Sequence, residues 1–142
     1  MSRGIKTKIR RLEAENLEVI SDIGGVEEIS PCDVELFFPL FLGRDTTAFH
    51  AADICDHLKE VDRDVGLRHA ESLLKVQGRL PEEWKKYFLL FPGTVLRVVH
   101  GKKLLYMPSL TWTQNGGWVI YYYLIWRRDW SRDKHAFIRM KR

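Results

Sequence analysis

The chain has 142 residues, is 45% hydrophobic and 30% charged, and carries a net charge of +4. That is one domain's length and enough to bury a core, so neither a disulfide framework nor a metal is required to hold it together. Two cysteines, Cys32 and Cys55, are too few for a secreted scaffold and are expected as small buried hydrophobes in a reducing compartment.

Charge and aromatic residues are segregated along the chain. Residues 1–12 carry +5, residues 13–83 carry −11, and residues 84–142 carry +10. All five Trp and all five Tyr lie between Trp84 and Trp130. The segregation predicts one domain in three parts: an amphipathic helix over 1–25, an acidic helical part over 30–90 and a basic aromatic sheet over 94–142. The opening residues, MSRGIKTKIRRLEAEN, hold no apolar run, so no secretory signal is expected. The uncharged stretch from Leu104 to Trp126 is broken by Pro108 and by Gln114-Asn115-Gly116-Gly117. It reads as two strands and a turn rather than a membrane span, and a cytoplasmic protein is expected.

In chain order, Ile5, Ile9, Leu12, Asn16, Val19 and Ile23 alternate at spacings of four and three, the stripe of an amphipathic helix. The same stripe, with Asn16 at an a position, would serve as the seam of a homodimeric coiled coil through Ile5, Ile9, Leu12, Asn16 and Val19. Ser30-Pro31 has the pattern of a helix start, and the apolar run Leu36 to Leu42 would continue that helix until Pro39 kinks or ends it. A further helix is predicted from about Asp45 to Val61. Leu67, Ala70, Leu73 and Leu74 mark another, closed by Gly78, and Pro81-Glu82-Glu83 starts a short one. Residues 47–80 also scan as helix, turn, helix, but the surplus of acid there would repel a phosphate backbone.

After Gly93 the period becomes that of strands: 94–99, 104–113, 118–127 and 135–140. Residues 118–127 are apolar on both faces, which suits a central strand. A two-residue turn at Asn115-Gly116 would pair Thr113 with Trp118 and put Tyr106, Leu110 and Trp112 on one face with Tyr121, Tyr123 and Arg127. Pro108 cannot donate to a ladder and implies a bulge or an edge. The expected fold is therefore α+β, with N-terminal helices packed on one face of a C-terminal four-strand antiparallel meander.

Three functions compete. In the first, the protein is a non-enzymatic binder of nucleic acid or nucleoprotein: Arg127, Arg128, Arg132 and Lys134 neutralise phosphates while Tyr121, Tyr123 and Trp112 stack bases. In the second, the acidic half docks on a basic protein, or imitates nucleic acid to inhibit its binder. In the third, His50, Asp53 and His57, close on one helical face, contribute ligands to a metal-dependent enzyme. No hydrolase elbow, phosphate loop, dinucleotide fingerprint or zinc-protease motif is present. An enzyme is thus the least favoured of the three, and no cofactor is expected.

Overall fold

The computed structural model describes residues 17–23, 28–39, 61–98, 105–124 and 133–141. Seven strands form one mixed sheet: β1 (Leu17–Asp22), β2 (Val34–Phe37), β3 (Phe88–Leu90), β4 (Thr94–Val98), β5 (Leu105–Thr113), β6 (Gly117–Leu124) and β7 (His135–Met140). The helix α1 (Leu67–Lys75) lies mid-chain, and short 3-10 turns occur at Pro31–Asp33, Gln77–Arg79 and Glu82–Lys86. This overturns the expected architecture of N-terminal helices on a four-strand meander. The stripe at Val19 belongs to a strand whose register with β4 skips only Ile20. Leu36 lies in β2, paired with Ile138 of β7. In both segments β-branched or aromatic side chains favour an extended backbone once a neighbouring strand is present to bond it.

The strand order is β1-β4-β5-β3-β7-β2, with β6 on the other edge of β5. Both β3 and β4 run antiparallel to β5 along a single edge. They behave as one strand interrupted by a bulge: residues 91–95 stand opposite only Met107 and Pro108. Pro108 fits here because its carbonyl accepts from the Phe91 N–H at 3.0 Å, and its missing N–H would face the same irregular stretch. Beyond this split strand the sheet forks, with β1 on β4 and β7 parallel to β3.

Both faces of the sheet are packed. On one, α1 presents Ala70 and Leu73 to Leu89, Leu110, Trp118, Ile120, Ala136 and Ile138. On the other, Leu90, Met107, Tyr123 and Phe137 gather with Val61 and Val95. Each fully buried aliphatic side chain here contributes about 1.5–3 kcal/mol. The double packing accounts for the apolar character of both faces of β6. Among the described residues β6 pairs only with β5, and it is apolar on both sides because a core lies on each side.

The β5–β6 register also differs from the expected one. Thr113 pairs with Gly117, and Trp112 with Trp118. Gly117 takes a left-handed φ of 68°, open to glycine at little cost. Gln77 Oε1 accepts from the Trp118 N–H at 3.1 Å, tying the turn after α1 to the hairpin. The loop is therefore Gln114-Asn115-Gly116, one residue longer than expected, and the one-residue slip moves every neighbour to the other face.

Candidate functional site

The slip separates the three aromatic residues expected to act together. Trp112 lies on the helix side, edge-on to Trp118 at 6.0 Å, with Lys85 Nζ 3.9 Å above its ring. Tyr121 and Tyr123 lie on the opposite face, beside Ser109 and Met107. Tyr121 is 47% exposed and Tyr123 is buried.

The Tyr123 hydroxyl is 2.5 Å from Nε2 of His135, itself buried. These residues sit on β6 and β7, with β5 and β3 between them. On a flat sheet three strand spacings would separate them by about 14 Å, too far for side chains standing upright. The sheet must coil, making this face concave, and the bulge between β3 and β4 increases the coil. Phe88 fills the gap, its ring 5.7 Å from Tyr123 and stacked 5.5 Å from His135.

This bond has a topological consequence. The connection from β6 to β7 covers residues 125–134; His135 follows it directly, and Tyr123 stands one residue before Leu124, the last of β6. The pair therefore holds together the two ends of the segment whose sequence contains Arg127, Arg128 and Arg132. Those three arginines lie outside the described residues. At the far end Lys134 is exposed and forms no ion pair among the described residues, while its carbonyl accepts from the Phe88 N–H at 2.7 Å.

Other cations of the basic region are engaged within the fold. Arg139 lies near Glu35 at 3.5 Å and Asp62 at 3.7 Å and covers the Phe37 ring. Arg97 pairs with Glu18 across β4 and β1. Lys85 meets Glu82 at 2.8 Å, and Lys75, from the acidic region, meets Glu28 at 3.3 Å. The opposed charges of the two halves thus partly neutralise each other. Sequence alone missed His135: an isolated histidine opening a strand carries no motif, and its partner is reached only through the coil.

The remaining candidates are not joined to this site. Ile5, Ile9, Leu12 and Asn16 lie outside the described residues. Val19 is 53% exposed on β1, beside Ile20 at 45%. His50, Asp53 and His57 are likewise outside them, and among the described residues no cluster of three His, Cys, Asp or Glu side chains could hold a metal ion. Cys32 is exposed rather than buried, its Sγ 2.9 Å from Ser30 Oγ. No described helix is long and apolar enough to cross a membrane. No family model, curated protein or solved structure matches the chain.

Proposed function

We propose that the protein is a non-enzymatic binder of nucleic acid or of a nucleoprotein, and that it contacts single-stranded segments at the Tyr123–His135 end of the concave face. The observation that carries this reading is the Tyr123–His135 bond. It joins β6, which carries the exposed Tyr121, to the start of β7, next to Lys134, which forms no ion pair among the described residues, and so brings both ends of the arginine-bearing connection to one end of this face. Tyr121 is 47% exposed; base stacking on such a tyrosine is worth about 1–3 kcal/mol, and cations beside it neutralise phosphates. Trp112 has no part in this site, since it faces the other way beneath Lys85. The reading in which the acidic half docks on a basic partner has less support. Glu18, Glu28, Glu35, Asp62 and Glu82 all lie within ion-pair distance of the protein's own cations.

Fluorescence polarisation with single-stranded and duplex oligonucleotides tests the reading. Four phosphate contacts, from Arg127, Arg128, Arg132 and Lys134, give a log–log salt slope of about −3 on single strands. Lys134→Ala should make that slope shallower by about 0.7. Tyr121→Ala should weaken binding about 5- to 100-fold, the equivalent of one lost stack. Absence of binding to every oligonucleotide at low salt refutes the reading.

A further inference from the structure

The helix α1 begins where three other segments converge. The Leu67 N–H donates to Thr94 Oγ1 at 2.8 Å, and the Thr94 hydroxyl donates to Asp22 Oδ1 at 2.7 Å. The Gly93 N–H donates to the Val65 carbonyl at 2.6 Å, and the Gly93 carbonyl accepts from the Ile23 N–H at 2.9 Å. Arg63 Nε reaches the Pro92 carbonyl at 3.0 Å. No room is left over: a Cβ on Gly66 would stand 2.4 Å from Thr94 Oγ1, and one on Gly93 2.5 Å from the Val65 carbonyl oxygen.

At the centre of this junction the Gly66 N–H donates to Nδ1 of His69 at 2.9 Å. The arrangement is the return half of a capping box, with histidine at the position usually held by Glu or Gln. The substitution matters because histidine titrates near neutrality. A backbone N–H can only donate, so Nδ1 must be bare and the proton of the neutral ring must sit on Nε2. A proton added to Nδ1 would set two donors against each other and place a positive charge at the positive end of the helix dipole.

We propose that the Gly66–His69 bond is an acid-labile latch, and that protonation of His69 releases the first turn of α1 from the β1–β4 end of the sheet. Among the described residues the charged groups that act on the ring are Asp64, ahead of α1, and Asp22 of β1; on α1 itself the charged residues nearest in sequence are Arg68 and Glu71. β4 presents the uncharged Thr94, and burial holds Tyr122 of β6 protonated through this range. Burial lowers the His69 pKa below its ordinary 6.5, against the opposing pull of Asp64 and then Asp22. The fold therefore favours the neutral ring. Its stabilisation is complete above pH 6.5 and is lost as the pH falls through the folded-state pKa.

NMR on the full chain tests the latch between about pH 7.5 and 5, above the ordinary carboxylate range near 4. The ring nitrogens report the proton's position, and the Gly66 and Leu67 amides report the latch through their protection from exchange. The expected result is a bare Nδ1 at the upper pH and at least a tenfold loss of protection at the lower one. His69→Gln, whose side-chain oxygen accepts at any pH, should keep the protection level. Three results overturn the proposal: a proton on Nδ1 at pH 7.5, unchanged wild-type protection down to pH 5, or an equal acid loss in His69→Gln. If His69→Gln does not fold, the wild-type titration alone decides.

Discussion

Replacing Gly117 by alanine should separate a backbone effect from a contact effect within one turn. The left-handed φ of 68° costs a residue with a Cβ about 1–2 kcal/mol. The added Cβ would also stand 2.7 Å from Gln77 Oε1, closer than carbon and oxygen can approach, so the amide must move. Gln77 Oε1 is the acceptor for the Trp118 N–H, and losing that bond costs about 1 kcal/mol. The expected total is about 2–3 kcal/mol. Gly116→Ala is the control: its Cβ meets Thr113 Oγ1 at 3.2 Å and Val119 Cγ1 at 3.9 Å, without a left-handed φ, and should cost less than about 1 kcal/mol. In a Gln77→Ala background the contact term disappears, so Gly117→Ala should there cost only the backbone share of about 1–2 kcal/mol. Urea unfolding followed by circular dichroism measures the four variants against wild type. If Gly117→Ala is no more harmful than Gly116→Ala, the register and its link to Gln77 are wrong.

Adjacent tyrosines should respond oppositely to loss of a hydroxyl. Tyr123→Phe leaves buried His135 without that partner and should cost about 1–3 kcal/mol, with weaker oligonucleotide binding as the β6–β7 ends loosen. Tyr122→Phe should be neutral or slightly stabilising by the same unfolding assay, because the Tyr122 hydroxyl is buried and has no hydrogen-bond partner among the described residues. Thr94→Val removes both the acceptor of the Leu67 N–H and the donor to Asp22 Oδ1. Its expected cost is about 2–4 kcal/mol, roughly two unmade bonds, and a midpoint equal to wild type would contradict the junction. Leu110→Ala, at a fully buried site between α1 and the sheet, should cost about 2–5 kcal/mol in denaturant titration.

Where local chemistry was strong, sequence and structure agree. Leu67, Ala70, Leu73 and Leu74 at helical spacing form α1, and Pro81-Glu82-Glu83 opens a short 3-10 turn. The alternation and turn residues after Gly93 place β4, β5, β6 and β7 within a residue or so over their described parts. The failures fall on short apolar segments. Val19 and Leu36 lie in runs that suit a helix or a strand equally by pattern, and only the available partners, β4 and β7, decide between the two. The candidate site was legible as a list of residues but not as a place. Tyr121, Tyr123 and Lys134 could be named in advance, whereas Trp112 joined them on paper only through an assumed register.

The sequence by itself determined the aromatic, basic strands β4 to β7, the helix α1 ahead of them, and the opposition of charge between the two regions, but not the sheet they share with β1 and β2. These are matters of composition and short-range periodicity, carried by residues a few positions apart. Tertiary structure alone decided the rest. The parallel pairing of β3 with β7 joins residues 47 positions apart, as Phe88 with His135. The hairpin register rests on one glycine's φ and on Gln77, 41 residues before Trp118. The meeting of Tyr123 with His135 needs a coiled sheet. Each depends on long-range contacts whose free energy exists only once the chain has closed on itself, and no local pattern encodes them.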